Sequence, residues 1–320
     1  MQSHTSSNSK FPIINSNQMS VGCGTRVSLT KFPKWLHHAL PSGSTLAHTN
    51  QILQKYQLST VCEEAKCPNR MECYSKSTAT FLVLGSACTR ACGFCDIDFT
   101  KLPKAPDPTE PKRIAKCATE LKLKHVVITM VARDDLEDGG VSHLIAIIKE
   151  MQLISPQTTL EFLISDLLGN FCALDLLLQE KIAIFNHNLE TIERLTPKIR
   201  HKATYARSLS ILQHASTRNS RNYFVKSGLM LGLGEEEEEV KATLRDLLGV
   251  GCNIVTLGQY LQPNKNRLRV KAFIPPETFK KYEDYGTSIG IQFMYCGPFV
   301  RSSYNAQAVS YTHLTLPTSD

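Results

Sequence analysis

The sequence predicts an α/β fold in which short buried strands alternate with amphipathic helices. Six apolar runs of strand length occur from residue 80 onward, at 80–84, 125–129, 159–164, 182–185, 224–229 and 254–257. Helical patterns separate these runs, and the clearest of them shares one apolar face between Val141, Leu144, Ile145, Ile148 and Met151. This alternation predicts a parallel sheet with right-handed crossovers.

Polar motifs directly after the predicted strands favour a barrel over a doubly wound sheet. The segments CTRACGFC, ARDDLEDGG, NHNLET and GLGE each follow an apolar run. In a barrel the carboxyl ends of all strands meet at one mouth, where these motifs would lie together. A doubly wound sheet would gather them at one switch point, and the chain contains no G-x-G-x-x-G turn. We therefore predict a partial (β/α)6 TIM-like barrel with N-terminal and C-terminal extensions.

Composition divides the chain into five segments. Residues 1–30 are rich in Ser, Asn and Thr and lack acidic residues, which predicts a disordered tail or, alternatively, an organellar transit peptide. Residues 31–79 form the N-terminal extension, 80–262 the barrel and 263–308 the C-terminal extension. Residues 309–320 contain the run VSYTHLTLPT, which resembles a translated sequencing adapter, so we expect this end to be non-native.

Composition and charge narrow the class of protein. With 42% hydrophobic and 20% charged residues, the 320-residue chain is typical of a packed globule. No apolar run approaches membrane-spanning length, so we expect a cytoplasmic protein, or a mitochondrial or plastid one if the N-terminal tail is a transit peptide. The net charge of +7 comes without blocks of Lys or Arg, which disfavours nucleic-acid binding. It is consistent with docking an acidic partner and equally with solubility alone.

Six of the eleven cysteines form two triplets that suit a soft metal centre. Cys88, Cys92 and Cys95 are spaced C-x3-C-x2-C in a loop after the first predicted strand, so three sulfurs can bind three corners of one four-iron cubane. The fourth iron would stay open to chelate an amine and a carboxylate. A zinc knuckle, or a closed cluster with a remote fourth ligand, is the alternative.

The second triplet is Cys62, Cys67 and Cys73, spaced C-x4-C-x5-C, and it lies in the N-terminal extension. Disulfides are disfavoured for all of these cysteines, because a chain of this size has a core large enough to fold without them. The other five cysteines lack paired spacing, and we expect them to be packed thiols: Cys23, Cys117, Cys172, Cys252 and Cys296.

The C-x3-C-x2-C loop after the first strand resembles the radical S-adenosylmethionine superfamily. The segment GLMLGLGE, at residues 228–235, is similar to that superfamily's G-x-I-x-G-x-x-E element. The resemblance implies that the open iron binds S-adenosylmethionine and that reductive cleavage yields a radical able to abstract hydrogen from an unactivated carbon. It also implies that Gly232 and Glu235 support the adenosyl part of the cofactor.

Five further motifs, in order, resemble the lipoyl synthase family between residues 32 and 308. They are VCEEAKCPNRMEC at 61–73, ARDDLEDGG at 132–140, FNHNLET at 185–191, TLGQY at 256–260 and GPFVRSSY at 297–304. The resemblance implies insertion of two sulfur atoms at C6 and C8 of a protein-bound octanoyl-lysine, with two [4Fe-4S] clusters. It further implies that Cys62, Cys67, Cys73 and Ser303 hold an auxiliary cluster, which is the sulfur donor.

Other strand-end residues have two interpretations. Arg133, Asp134 and Asp135 are candidates for binding the cofactor, or they form a solvated turn with internal ion pairs. Asn186 and Asn188 are further candidates, whereas His187 is expected to be a structural hydrogen-bonding group.

The segment EFLISDLLG at 161–169 departs from the family's Pro-Asp-Phe-x-Gly pattern, since only Asp166 and Gly169 match it. The missing proline is expected to loosen this turn.

The resemblance also predicts partners. We expect an octanoylated lipoyl carrier protein or lipoyl domain, an electron donor such as flavodoxin or ferredoxin, and a monomer without nucleic-acid or membrane partners. Two other functions stay open at this point. One is a radical dehydrogenase or peptide-modifying enzyme whose auxiliary cluster relays electrons, and the other is a non-catalytic iron–sulfur or zinc protein.

Overall fold

The computed structural model describes residues 33–37, 44–65, 67, 69–75, 80–218 and 223–303. The tails assigned from sequence to residues 1–30 and 309–320 lie outside the described residues, as do Cys23 and Tyr304. The described strands are β1 (Thr80–Val83), β2 (Ala87–Cys88), β3 (Asp98–Phe99), β4 (His125–Met130), β5 (Thr159–Leu163), β6 (Ile184–Asn186), β7 (Phe224–Leu231), β8 (Ile254–Gln259) and β9 (Phe293–Gly297).

The described helices alternate with these strands from β3 onward. They are α1 (Ser44–Lys55), α2 (Val61–Glu64), α3 (Arg70–Ser75), α4 (Glu110–Glu120), α5 (Val141–Ile154), α6 (Phe171–Leu178), α7 (Thr196–Ile199), α8 (Tyr205–Thr217), α9 (Glu237–Gly249) and α10 (Pro276–Ser288). Short 3-10 turns occur at Lys34–Leu36, Leu167–Gly169 and Glu193–Leu195.

The main sheet is parallel and follows the order of the chain. Its strands run β1-β4-β5-β6-β7-β8-β9, so each strand pairs with the next one in sequence, while β2 and β3 form a separate two-stranded pair. This topology is the predicted α/β partial barrel, and all six predicted strands are confirmed to within a few residues. The seventh strand, β9, was not predicted, because its short FMYC run lies in the segment assigned to the C-terminal extension.

Helices cover the outer face of the sheet and contribute to a continuous core. In α5 the buried residues are Val141, Leu144, Ile147, Ile148 and Met151, so Ile147 takes the place predicted for Ile145, which is partly buried. Among the cysteines predicted to be packed, Cys117 and Cys252 are buried, but Cys172 is exposed at the start of α6, so that prediction is wrong for it.

The acidic run at 235–239 lies at the start of α9. The helix begins at Glu237, and the Glu236 amide donates to the Glu239 carboxylate at 2.8 Å. Carboxylates in the first turn satisfy free amides and interact favourably with the helix dipole.

Two glycines in the inner strands make room for the C-terminal loop. A Cβ at Gly258 of β8 would overlap the Val300 carbonyl oxygen, and a Cβ at Gly228 of β7 would lie 3.0 Å from the Ser302 hydroxyl. Residues 300–302 therefore lie directly against the barrel strands. None of the described helices has the length and apolar character needed to cross a membrane.

A core truncation should show how much the sheet depends on its buried aromatic residues. Phe162 of β5 is 0% exposed, and Phe162→Ala should lower the free energy of unfolding by about 3–5 kcal/mol, because it removes packing and leaves a cavity. Leu153→Ala, at a residue 78% exposed, is the control and should change it by about 0.5 kcal/mol or less. Urea denaturation measures the free energy of unfolding of both variants. Equal losses in the two variants would contradict this description of the core.

Candidate active site

A cavity of about 580 Å³ opens at the carboxyl ends of the barrel strands. It is lined by all six cysteines of the two triplets: Cys62, Cys67, Cys73, Cys88, Cys92 and Cys95. The C-terminal loop reaches the same cavity with Arg301, Ser302 and Ser303. Chain segments far apart in sequence therefore bring their candidate ligands to one place.

The first triplet lies on a loop that backbone hydrogen bonds fix to the barrel. Thr100 N donates to Cys88 O at 2.9 Å, Gly93 N donates to Ile199 O at 2.9 Å, and Leu268 N donates to Gly93 O at 3.0 Å. Arg90 N donates to the Cys88 sulfur at 3.3 Å. These contacts hold the loop at its start, Cys88, and in its middle, Gly93.

A buried network of ion pairs also holds the loop that carries the first triplet. The Arg90 guanidinium contacts Asp134 at 2.7 Å and Asp166 at 2.6 Å, and these two carboxylates follow β4 and β5. Arg207 of α8 also contacts Asp166, at 3.1 Å. Burial raises the pKa of Asp166, but the charge of Arg90 outweighs it and lowers the pKa below its ordinary value.

The turn that lacks the expected proline is closed by this aspartate. Leu168 N donates to the Asp166 carboxylate at 3.2 Å, and Gly169 N donates to Asp166 O at 2.8 Å. Leu167 and Leu168 have φ values of 46° and 52°, in the left-handed region that non-glycine residues seldom adopt. Hydrogen bonds to Asp166 therefore hold a turn that the sequence left unsupported.

The second triplet comes from two short helices of the N-terminal extension, which carry Cys62 and Cys73, and from the segment between them, which carries Cys67. Cys67 N donates to Cys62 O at 3.1 Å, and Cys73 N donates to Asn69 O at 2.9 Å. The Asn69 side chain donates to Phe299 O at 2.7 Å. This bond ties the N-terminal triplet directly to the C-terminal loop.

The two serines of the C-terminal loop differ in their contacts. Asn188 Nδ2 donates to the Ser302 hydroxyl at 2.6 Å, and Lys226 Nζ donates to the Ser302 carbonyl oxygen. The Ser303 hydroxyl lines the cavity and makes no hydrogen bond to any other residue that the structure describes. Ser303 is therefore the serine whose oxygen is available to a ligand.

The donor set fits iron–sulfur clusters. Burial raises the pKa of Cys62 and of Cys95 to about 12, and it raises the pKa of Cys92, so these groups are thiols until a metal displaces their protons. No three His, Cys, Asp or Glu side chains within the described ranges are grouped tightly enough to hold a single ion. In a cubane each thiolate binds its own iron, so three cysteines lining one cavity can bind three irons of one cluster.

Asn188, Glu190 and Arg200 form the polar wall of the cavity. Asn188 Nδ2 donates to Glu190 at 3.0 Å, while Asn188 Oδ1 is buried without a partner in the described part of the chain. Burial raises the pKa of Glu190, and the nearby Arg200 partly offsets this. A buried acceptor without a donor and a buried carboxylate fit a ligand that carries hydroxyl or ammonium groups.

Several predicted cofactor residues lie beside the cavity with internal partners. Arg133 is buried and pairs with Asp135 at 2.7 Å, and Asp134 pairs with Arg90. Asn186 is buried and donates to Glu161 at 2.8 Å. Their role towards a cofactor stays a prediction, and the alternative of internal ion pairs describes the contacts seen for Arg133 and Asp135.

The glycine-rich segment after β7 is shaped by its glutamate. Glu235 accepts hydrogen bonds from Gly232 N and, at 2.9 Å, from Leu233 N. Gly232 has a φ of 103°, and a Cβ there would overlap the Gln259 side chain and the Ala272 carbonyl oxygen. Both residues thus form a tight turn, and their contribution to cofactor binding stays a prediction.

Sequence reasoning missed five residues that shape this site: Arg90, Asn69, Glu190, Arg200 and Lys226. The partners of Asn69, Arg90 and Lys226 are 230, 44 and 65 residues away, so spacing carries no signal for them. Glu190 and Arg200 have partners nearer in sequence, but no spacing marks them as part of the cavity wall. The fully buried His187 was expected to be structural, and its ring nitrogens contact Ile164 O at 2.8 Å and the Ser208 hydroxyl at 2.9 Å.

Comparison with known proteins identifies relatives over nearly the whole chain. A model of the radical SAM superfamily matches residues 82–247. The lipoyl synthase of Protochlamydia amoebophila is 56% identical over 301 residues, which cover 94% of this chain and 93% of that protein. The lipoyl synthase of Chlamydia trachomatis serovar L2 is 56% identical over 279 residues, covering 87% of this chain and 89% of that protein.

Solved structures share the fold at low sequence identity. Streptococcus suis SuiB, bound to the precursor peptide SuiA, has a TM-score of 0.54 at 12% identity, covering 78% of this chain and 52% of that one. A crystal structure of HydG, a maturase of the [FeFe]-hydrogenase, has a TM-score of 0.51 at 14% identity, covering 82% and 73%. These similarities support the partial-barrel fold.

Removing Arg90 should destabilise the loop that carries the first triplet. Arg90→Met leaves Asp134 and part of the buried Asp166 carboxylate without their cation, so we expect a loss of about 3–5 kcal/mol in the free energy of unfolding.

The matched control is Arg194→Met. Arg194 pairs with Glu239 on the surface, and its loss should cost about 1 kcal/mol or less. Urea denaturation of the cluster-free protein compares the two variants, and a small effect of Arg90→Met would show that the buried network does not anchor the loop.

Proposed function

The chain belongs to the lipoyl synthase family of the radical SAM superfamily, and from this premise we propose how its two cysteine triplets divide the reaction. The enzyme inserts two sulfur atoms at C6 and C8 of a protein-bound octanoyl-lysine, using S-adenosylmethionine and two [4Fe-4S] clusters. The single observation that carries the division is that both triplets and one free serine hydroxyl line one cavity.

We propose that Cys88, Cys92 and Cys95 hold the cluster that binds S-adenosylmethionine. Three thiolates leave one iron of a cubane open for an amine and a carboxylate. When bound, S-adenosylmethionine and the cluster together supply the one-electron chemistry that breaks inert C–H bonds. Acid–base groups cannot break such bonds. Asn188 and Glu190 support the assignment, because a buried acceptor without a donor in the described part of the chain and a buried carboxylate suit the cofactor's hydroxyl groups and the N–H groups of its amine.

Cys62, Cys67, Cys73 and Ser303 would hold the auxiliary cluster, which donates the sulfur. The bond from Asn69 to Phe299 supports this set, because it keeps the N-terminal cysteines next to the loop that carries Ser303. Serine oxygen matches iron less well than thiolate does, so this corner is the easiest to release. A releasable corner suits a cluster that is dismantled for its sulfur.

The wall of the cavity supports binding of an acyl chain. Besides the two triplets, the cavity is lined by apolar residues at or near the strand ends, namely Leu82, Met130, Val131, Leu163, Ile164, Leu229 and Met230. Such a wall packs against methylene groups and excludes water from the carbons that react. The protein's own contribution is therefore to position the octanoyl chain between two metal centres.

The proposed partners are an octanoylated lipoyl carrier protein or lipoyl domain and an electron donor such as flavodoxin or ferredoxin, with this chain acting as a cytoplasmic monomer. A surface next to the first triplet supports docking of an acidic protein. Phe99 and Leu102 are 47% and 88% exposed, and Lys101 and Lys104 beside them are also exposed. Apolar side chains flanked by cations favour an acidic surface.

Iron counts and product analysis test the division of roles. The reconstituted wild type should bind about eight irons per chain, and either triple Cys→Ala variant about four. The Cys62/Cys67/Cys73 variant should still form 5′-deoxyadenosine from S-adenosylmethionine but insert no sulfur, whereas the Cys88/Cys92/Cys95 variant should form neither product. Anaerobic assays with an octanoyl-lysine peptide, followed by mass spectrometry, measure both products.

Cys172→Ala is the control, because this cysteine is exposed and does not line the cavity. It should keep the wild-type iron count and products. Deoxyadenosine formation without any sulfur insertion by the unmodified chain would overturn the proposal and favour an auxiliary cluster that only relays electrons.

The serine ligand is tested by two substitutions of Ser303. Ser303→Ala should spare deoxyadenosine formation and lower sulfur insertion about tenfold or more, since the fourth corner loses its ligand. Ser303→Cys should retain the auxiliary iron but insert sulfur more slowly than the wild type does, because a thiolate holds the corner more firmly. Unchanged sulfur insertion in Ser303→Ala would show that this hydroxyl is not a ligand.

A further inference from the structure

A buried charge pair inside the barrel lies directly beneath the C-terminal loop. Lys226 of β7 is 1% exposed and Glu161 of β5 is 0% exposed, and Lys226 Nζ lies 2.9 Å from Glu161 Oε1. Neither residue lines the cavity described above. Two buried charges carry a large desolvation cost, so the pair is weak evidence for a purely stabilising role.

The glutamate is held by further polar groups from neighbouring strands. Asn186 Nδ2 of β6 donates to Glu161 Oε1 at 2.8 Å, and His125 Nε2 of β4 lies 3.4 Å from Glu161 Oε2. Four adjacent strands thus contribute to one network. This arrangement gives the ammonium group of Lys226 a fixed position.

Lys226 uses another of its donors on the C-terminal loop. Its Nζ donates to the carbonyl oxygen of Ser302, the residue before the proposed ligand Ser303. The Ser302 hydroxyl is held separately by Asn188 at 2.6 Å. On the other side, Gly258 has no side chain, so the Val300 carbonyl lies against β8. Both serine contacts and the Val300 contact come from the barrel itself.

We propose that Lys226, fixed by Glu161, is a positioning residue that keeps residues 300–303 in place when no auxiliary cluster is bound. The contacts that hold this loop come from Lys226, Asn188 and the space above Gly258, none of which is a proposed cluster ligand. The Ser303 hydroxyl then stays at the cavity after the sulfur has been consumed, ready for a new cluster. This inference rests on the proposed role of Ser303 as a ligand.

Trypsin provides a direct test, because it cleaves after Arg301, inside the loop. In the cluster-free wild type, cleavage there should be at least about tenfold slower than in a free peptide of residues 296–308, since proteolysis needs local opening. Equal rates would overturn the proposal. This comparison needs no substitution, so it does not depend on the folding of a variant.

The double variant Lys226→Met/Glu161→Gln tests the contribution of the pair. Removing both charges avoids leaving either one buried alone. Loss of a charge-assisted hydrogen bond should speed cleavage after Arg301 by about tenfold or more. The matched control is Lys241→Met/Glu237→Gln, which removes a surface pair of 2.7 Å on α9 and should leave this cleavage unchanged.

Unfolding measurements separate positioning from general stability. If cleavage rises only in proportion to the loss of global stability in urea, the pair is a fold stabiliser and the proposal is wrong. Gly258→Ala displaces the same loop from β8 without changing any charge, and it should also speed cleavage after Arg301. If Gly258→Ala leaves the rate of this cleavage unchanged, the loop is not seated on the barrel and the proposal is contradicted.

The rate of cluster assembly tests whether the loop positions the proposed ligand, Ser303. In a Cys88/Cys92/Cys95→Ala background, which leaves the auxiliary site alone, Lys226→Met/Glu161→Gln should slow uptake of iron and sulfide several-fold. Adding Ser303→Ala should abolish that difference, because the loop then has no ligand to position. An effect that persists without Ser303 would overturn the inference. If Ser303→Ala alone changes nothing, the ligand assignment fails, while the protease result still reports on the loop.

Discussion

The seating of residues 299–303 on the inner strands is the constraint on which the whole site depends. Phe299 accepts from Asn69 of the N-terminal extension, Val300 lies against Gly258, and Ser302 is held by Lys226 and Asn188. One short loop thereby joins the two ends of the chain to the middle of the sheet. Without it, the segment that carries Cys67 and Cys73 would lose the hydrogen bond that Asn69 makes to Phe299.

The site contains two groups of buried ions, and each group holds a different loop at the cavity. Arg90 with Asp134 and Asp166 holds the loop of the first triplet, whereas Lys226 with Glu161 lies under the C-terminal loop. Burial of Glu161 raises its pKa, yet Lys226 and His125 outweigh this and lower it to about 2, so the carboxylate stays charged. Charged partners of this kind give fixed distances that neutral packing gives less sharply.

Local sequence patterns are enough to predict the fold. The contacts between distant segments could not be predicted, because no local pattern reports them. Apolar runs of five residues or so identify β4, β5 and β7, because burial on both faces of a parallel strand needs such runs. The strand β9 has only FMYC before its glycine, which is too short to distinguish from a loop. Cysteine spacing identified both triplets, but Lys226 and Ser302 are 76 residues apart, and no local pattern reports their contact.

The proposed assignment completes the two triplets in different ways. The loop of Cys88, Cys92 and Cys95 is hydrogen-bonded to other segments at Cys88 and Gly93, and Asn188 and Glu190, which line the same cavity, suit an exchangeable small molecule. In the proposed assignment, the second triplet takes its fourth ligand from Ser303 of the C-terminal loop. Because Lys226 and Asn188 hold the neighbouring Ser302, a weak oxygen ligand released from the cluster would remain close to it. Such an arrangement would suit a cluster that is consumed in each reaction cycle, whereas a cluster that only binds a cofactor has no need of it.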